Sequence, residues 1–309
     1  MSITFSRAGS LHDAIGGTPL LELRGLQTPG RARLFAKAEF MNPGGSVKDR
    51  ICRSMLDDAQ ARGMLRPDSV IIESTSGNTG IGLAMLAAER GLECILTMPS
   101  TMSQERIKLL RGYGARVELS TAEGGMAEAI LLAERLAAQY GERAWMPGQF
   151  ENQANPLAHS LTTGPEILSQ LAGLPLAAFV AGVGTGGTIS GTGAVLKKHD
   201  QSTRIVAVEP SASPVISGGK PGPHGIQGIG AGFIPDTLNL KILDEVMTVT
   251  EVEALETKVE LGKRAGLLVG ISAGANVAMA RRVAQRFDDS VAVVTVLCDT
   301  GERYLSLDA

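Results

Sequence analysis

Lys48 stands in the run NPGGSVKDR, just after two glycines and Ser46, where the chain reads as entering a helix, SVKDRICRSMLDDAQARG. The first turn of a helix lies at the positive end of its dipole and favours acids, so a lysine there is mildly disfavoured on local grounds. A chemical use removes the puzzle, because a lysine amine can attack a carbonyl and can serve as a base. Three other runs combine glycine with hydroxyls between an apolar strand and a helix: STSGNTG (74–80), AGVGTGGT (181–188) and VGISAGAN (269–276). Each offers backbone N–H groups and hydroxyls at a helix N-terminus, the arrangement that binds phosphate or carboxylate. A tight strand-to-helix connection explains any one of them equally well.

Two motif matches compete for these turns. Gly182, Gly184 and Gly187 fit G-x-G-x-x-G after a strand, and Glu209 ends the next strand, which is the dinucleotide fingerprint with its ribose-binding acid. That keeps a nicotinamide-dependent oxidoreductase open. Gly270, Ser272 and Gly274 fit the G-x-S-x-G elbow of α/β-hydrolases, whose histidine must follow the serine in the chain. All four histidines (His12, His159, His199 and His224) precede Ser272, so the hydrolase reading fails on order. The histidines are scattered and the cysteines unclustered, which gives no metal-ligand spacing. Each histidine reads as a surface or hydrogen-bonded residue.

The elements that must position these groups alternate. RLFAKAEF, SVIIES, CILTMP, RVELS, AAFVAGV, RIVAVEP, VMTVT, LLVGI and VAVVTVLC read as strands, most of them followed by a run of helical period. Near-continuous apolar strands alternating with helices predict buried parallel sheets in doubly wound layers. The Pro/Gly/Asn-rich stretch 147–156 is the expected domain boundary. PSASPVISGGKPGPHGIQGIGAGFIPD is too long and too glycine-rich for a mere connection, and loops of that kind are commonly functional.

The 309 residues suffice for two domains, and 38 glycines suit a chain with many strand-to-helix turns. A net charge of −3 gives no electrostatic footprint for nucleic acid. No apolar run approaches a membrane span and the N-terminus lacks a signal-peptide core, so the expectation is a cytoplasmic protein. Cys52, Cys94 and Cys298 are odd in number and far apart, which argues against a disulfide framework.

NPGGSVKDR, TSGNTG, GVGTGGTISG, GPHGIQGIGAGFIP, GISAGA and GERYLS occur in one order over nearly the whole chain. In that combination the chain resembles the cysteine synthase/cystathionine β-synthase family of pyridoxal-phosphate enzymes, and its O-acetylserine sulfhydrylase branch in particular. The resemblance implies the fold-type-II, tryptophan-synthase-β-like architecture: two doubly wound α/β domains with mainly parallel sheets. It places a smaller, mobile domain over 46–152, which takes the substrate carboxylate. A larger domain with the phosphate site comprises 153–309 and 1–45, the latter partly shared.

The same resemblance assigns roles. Lys48 carries pyridoxal 5′-phosphate as a Schiff base. Gly184, Thr185, Gly186, Gly187 and Thr188 cradle its phosphate, so the dinucleotide match is better read as a monophosphate site. Asn78 bonds its 3′-oxygen and Ser272 faces its pyridine nitrogen. Thr75, Ser76, Asn78 and Thr79 grip the substrate α-carboxylate, with Gln149 reaching it from GQF, while Gly228 and the small Ala231 line the space near the reacting carbon. A neutral hydroxyl at Ser272, where an aspartate would keep the ring protonated, suits β-elimination and disfavours transamination. The implied reaction converts O-acetyl-L-serine and sulfide to L-cysteine and acetate through an α-aminoacrylate. In the cystathionine β-synthase branch homocysteine is the thiol; GIGAGFIP is closer to cysteine synthase, and no haem-bearing N-terminal segment or C-terminal regulatory domain is seen. The family further implies a homodimer and capture of the C-terminal tail of serine acetyltransferase. Cys298, where many relatives carry serine, and the short C-terminus resemble isozymes that do not form that complex.

Overall fold

The computed structural model describes residues 8–307, which divide into two compact units. One comprises the chain up to Gly17, Asn42–Gly44 and Lys48–Pro147; the other comprises Thr18–Met41, Gly45–Val47 and the chain from Gly148 onward. The chain changes unit at Pro147, so Gln149 lies in the second unit.

The chain first lays two strands in the second unit, β1 (Leu20–Glu22) and β2 (Arg33–Ala38). It then builds the first unit as α1 (Lys48–Ala61), β3 (Val70–Ser74), α2 (Asn78–Arg90), β4 (Glu93–Pro99), α3 (Gln104–Gly112), β5 (Arg116–Ser120), α4 (Gly125–Tyr140) and β6 (Ala144–Trp145). The four strands run parallel in the order β5-β4-β3-β6, with Ile71 paired to Cys94. Parallel strands need helical crossovers, and those crossovers bury the sheet, which is why VIIES reads as an unbroken apolar run. Val70, Ile72 and Ile95 pack with Ala133 and Leu136 of α4. Helices α1 and α2 touch at Gly82, where an added Cβ would lie 2.8 Å from Cys52 Sγ.

Back in the second unit the chain forms α5 (Ala154–Ala158), a π-helical turn (His159–Thr163), α6 (Gly164–Leu171), β7 (Leu176–Gly182), α7 (Gly187–His199), β8 (Arg204–Pro210), β9 (Glu245–Val249), α8 (Glu251–Ala265), α9 (Ile271–Ala284) and β10 (Ala292–Leu297). Its six-stranded sheet has the order β1-β2-β10-β7-β8-β9, parallel throughout except for β1 at the edge. Successive strand residues face opposite sides. Val180, Val206, Val208 and Val293 therefore meet α9 on one face, while Phe179, Ile205, Ala207 and Val294 join Ile189 and Leu196 of α7 on the other. Both faces are thus buried, as a doubly wound sheet requires.

LLVGI, expected as a strand, is not one: only Val269 makes an isolated bridge, to Thr300. Val269, Gly270 and Ile271 are buried, while Leu267 is half-buried and Leu268 exposed, and Ile271 already opens α9. Among the described residues, no helix is long and apolar enough to cross a membrane.

Candidate active site

Lys48 is the first residue of α1 and is half-buried. The loop ahead of it is held residue by residue. In the first unit, Asn42 Oδ1 accepts from Gly16 N (2.9 Å) and Asp49 Oδ2 accepts from Gly44 N (2.5 Å). A Cβ at Gly44 would sit 2.6 Å from Asp49 Oδ1, so a larger residue there would have to displace the Asp49 carboxylate. In the second unit, residues 45–47 lie along the segment that follows β10: Val47 N donates to Cys298 O (2.8 Å), Thr300 N donates to Gly45 O (3.2 Å), and Ser46 bridges Asp299. Lys48 therefore stands where the chain leaves a clamped segment and starts a helix whose next two side chains, Asp49 and Arg50, are buried. One turn on, burial together with the Asp49 and Glu73 carboxylates pushes the Cys52 thiol well above its usual range, with Lys48 acting the other way.

The turn between β3 and α2 carries Thr75, Ser76, Asn78 and Thr79. Thr75 and Thr79 are buried, while Ser76, Gly77 and Asn78 are half-buried. Thr75 N donates to Thr97 O (3.1 Å), tying the turn to the end of β4, and Thr75 Oγ1 accepts from Gly77 N (3.3 Å). Gly77 is the N-cap of α2, so no side chain caps the start of that helix. Hydroxyls and a helix N-terminus in one turn suit a carboxylate.

In the second unit the 184–188 turn is packed from several sides. Added Cβ atoms would lie 2.3 Å from Gly228 O at Gly184, 2.7 Å from Leu238 Cβ at Gly186, and 1.8 Å from Asn155 Oδ1 at Gly187. Gly186, the N-cap of α7, has φ +83°, a backbone that L side chains rarely adopt. The loop over 211–237 closes on this turn, with Gly230 N donating to Val183 O (2.9 Å) and Thr237 Oγ1 donating to Thr185 O. Ser272, buried in the first turn of α9, joins the same neighbourhood: a Cβ on Gly228, itself at φ +93°, would lie 3.7 Å from Ser272 Oγ. Gly184, Gly228 and Ser272 are thus adjacent. Ala231 is exposed three residues further along the loop. The buried Gln149 enters through its carbonyl, which accepts from Asn155 Nδ2 (2.7 Å).

The segment 298–300 also fixes Ser272, since Gly270 N donates to Asp299 O (3.1 Å) and a Cβ on Gly270 would lie 2.2 Å from Asp299 Oδ1. One strand extension therefore anchors both the approach to Lys48 and the start of the Ser272 helix. Asn276, one turn along α9, accepts from Gly182 N (2.7 Å) and donates to Val296 O (2.8 Å) and Cys298 Sγ (3.4 Å). It pins the end of β7, where the cradle begins, against β10. Sequence reasoning missed Asn155, His159 and Asn276; their one signal is a polar residue on an otherwise buried helix face.

Glu209, the ribose-binding acid of the dinucleotide reading, is not available for that task. Its carboxylate is buried and accepts from Ile216 N (2.8 Å) and Ser217 N (3.0 Å), folding the loop that follows β8. The head of α7 instead offers backbone N–H groups and the Thr185 and Thr188 hydroxyls, a donor set that suits a phosphate, while its glycines are fixed by packing against Gly228, Leu238 and Asn155.

The chain matches the pyridoxal-phosphate dependent enzymes over residues 11–299. It is 50% identical to a cysteine synthase of Staphylococcus aureus (strain Mu50 / ATCC 700699), over 94% of each chain. Among solved structures it resembles an O-ureido-L-serine synthase, with TM-score 0.93 and 42% identity over 97% of this chain and 94% of the other. It also resembles O-acetyl serine sulfhydrylase isoform 3 of Entamoeba histolytica, with TM-score 0.94 and 38% identity over 100% of this chain and 94% of the other. With a family match over residues 11–299 and 50% identity to a cysteine synthase along 94% of its length, the chain belongs to the family of pyridoxal-phosphate-dependent enzymes.

Proposed function

We propose that the protein is a cysteine synthase, a pyridoxal-phosphate-dependent transferase that replaces the acetoxy group of O-acetyl-L-serine with sulfide to give L-cysteine and acetate. The observation that carries this reading is the 50% identity to a cysteine synthase across 94% of the chain. The donor set at 184–188 is compatible with it, because backbone N–H groups at the head of α7 and the Thr185 and Thr188 hydroxyls suit a phosphate.

Lys48 would hold the cofactor through Nζ, and residues 184–188 would hold its phosphate. Pyridoxal phosphate supplies the electron sink that makes a substrate Cα–H acidic and lets a β-substituent leave. Lys48 Nζ would serve as the base that takes the substrate's Cα proton. The clamp on residues 45–47 fixes the backbone that leads into Lys48. Thr75, Ser76, Asn78 and Thr79, together with Gln149, bind the substrate α-carboxylate and so orient the Cα–H bond, and Asn78 also holds the 3′-oxygen. Ser272 offers the ring nitrogen a hydroxyl and no formal charge, which favours elimination over transamination. Gly228 and Ala231 leave the β-carbon open to the incoming nucleophile.

The protein acts as a cytoplasmic homodimer in this reading, as the family resemblance implies. The turn over 75–79 would also accept a peptide C-terminal carboxylate, such as the serine acetyltransferase tail, by the same donors. A tail peptide ending in isoleucine should then inhibit and be displaced by O-acetylserine. Peptide binding that survives saturating O-acetylserine would put the tail elsewhere.

The activity test is sequential. O-acetyl-L-serine alone should change the visible spectrum of the yellow enzyme and release acetate, and sulfide should restore the spectrum as cysteine accumulates. Discharge by homocysteine much faster than by sulfide would make the enzyme a cystathionine synthase, and a colourless protein that binds NAD would end the reading altogether.

A further inference from the structure

The segment 154–163 lies beside the cradle and takes no part in the proposed chemistry, yet it is built closely around it. Asn155 in α5 and His159 at the start of the π-helical turn are both fully buried. Four residues apart, they meet the two hydroxyls that flank the start of α7, Thr185 just before it and Thr188 in its first turn. The partners match in order: Asn155 Nδ2 reaches Thr185 Oγ1 (3.0 Å), and His159 Nε2 reaches Thr188 Oγ1 (3.2 Å). Glycines on α7 make the approach possible. A Cβ at Gly191 would lie 2.0 Å from Pro156 O and 2.8 Å from His159 Cβ, and one at Gly187 would lie 1.8 Å from Asn155 Oδ1. Ser160 Oγ adds a bond to Gly191 O (3.1 Å).

Donor and acceptor counting then fixes the direction of one hydroxyl. An amide nitrogen only donates, so Thr185 Oγ1 accepts from Asn155; it also accepts from Gly187 N (3.5 Å). With both lone pairs engaged inward, the Thr185 hydrogen is left to point outward. The second hydroxyl has the same support in a different form. His159 Nδ1 lies 2.9 Å from Thr163 Oγ1, so a hydroxyl can donate to Nδ1 and leave the imidazole proton on Nε2, aimed at Thr188 Oγ1.

We propose that Asn155 and His159 are positioning residues that fix the polarity of the cradle, turning the Thr185 and Thr188 hydroxyls into donors toward a phosphate monoester. The inference rests on the reading of residues 184–188 as the cofactor-phosphate site. It assigns the imidazole its neutral Nε2–H tautomer and gives the π-helical turn a purpose, since such turns recur where a helix must place a side chain for function.

The test uses full-length protein resolved of its cofactor, titrated with pyridoxal 5′-phosphate and separately with pyridoxal, which lacks the phosphate. Asn155→Asp puts an acceptor where the amide donates and turns the Thr185 hydrogen inward. His159→Leu removes the donor to Thr188, whereas His159→Gln can return an N–H near the Nε2 position. Asn155→Asp and His159→Leu should each weaken pyridoxal-phosphate binding about tenfold to hundredfold, leave pyridoxal binding unchanged, and His159→Gln should recover most of the loss. In a Thr188→Ala background His159→Leu should cost nothing further, because it acts through that hydroxyl. Nitrogen-15 NMR of the wild-type holoenzyme should show the His159 proton on Nε2, a readout that needs no variant to fold. Equal weakening of both ligands, an undiminished His159→Leu loss in the Thr188→Ala protein, or a proton on Nδ1 overturns the inference while leaving the cradle intact. A wild-type protein that binds pyridoxal as tightly as pyridoxal phosphate overturns the cradle and the inference together.

Discussion

The turns over 74–80 and 182–188 share a recipe, a buried parallel strand followed by glycines, hydroxyls and an uncapped helix, but they are supported differently. Around the second turn, four added Cβ atoms would collide with backbone or buried side chains at 1.8–2.7 Å, and the hydroxyls are held by a separate segment. Around the first, a Cβ on Gly77 would meet nothing within 4 Å and one on Gly80 would come no nearer than 3.2 Å, and the Thr75 hydroxyl accepts from Gly77 of the same turn. The second turn is thus formed in advance, as suits a cofactor that stays through many turnovers. The first is less crowded, as suits a substrate that must enter and leave. Similar sequence patterns become different devices because of what packs behind them.

Breaking the crowded turn should have the largest effect. Gly184→Ala drives a methyl into the Gly228 carbonyl, which belongs to backbone and cannot swing aside. Overpacking of this kind costs about 1–3 kcal/mol of stability, and the displaced loop should reduce pyridoxal-phosphate affinity at least as much as the loss of a cradle hydroxyl does. Thermal melts of the apo form and cofactor titration measure the two separately. Gly187→Ala should act in the same direction through the Asn155 side chain, but less severely because an amide can move.

The less crowded turn should respond in a different quantity. Thr75→Ala removes one charge-assisted donor to the carboxylate and should raise the KM for O-acetylserine about tenfold, with cofactor affinity unchanged. A Thr75→Ala protein that loses cofactor but keeps its KM would erase the distinction between the turns. Gly77→Ala should be milder still: its φ of −100° is open to any residue, so the expected cost is the N-cap preference for glycine over alanine, under about 1 kcal/mol.

The smallest expected effect lies at the sheet edge, away from both turns. A hydrogen bond from Arg33 holds the Glu22 carboxyl at about 2, below its usual 4.5. A depressed folded-state value contributes stability that is complete above pH 4.5 and is lost as the pH falls toward 2. Glu22→Gln should therefore flatten the acid branch of the stability profile in that window and leave both ligands' affinities alone. A change in either would mean the sheet edge is coupled to the turns.

Much of this was legible in the sequence, and the illegible parts share a cause. Strand and helix alternation is visible because burial on both faces leaves long apolar runs such as VIIES and AVVTVL. The same signal misleads at LLVGI, an apolar run in which Leu268 is exposed and only Val269 makes a bridge. The edge strands β1 and β6, three and two residues long, are too short to show a period. The helical segment 154–171 was missed because Pro156, the π-helical turn and Gly164 break its 3.6-residue rhythm. Lys48 and the glycine turns were readable as motifs. Asn155, His159 and Asn276 were not, because the groups they hold lie far away in sequence, and a lone polar residue in a helix gives no sign of which way it faces.

The account depends most directly on Lys48 carrying the cofactor. Reducing the purified yellow protein with borohydride fixes pyridoxal phosphate wherever it is attached, and peptide mass spectrometry then reads the position. The prediction is a single adduct on the peptide containing Lys48, absent from Lys48→Ala protein treated in the same way. An adduct at another lysine, or a protein with no cofactor to reduce, would contradict it.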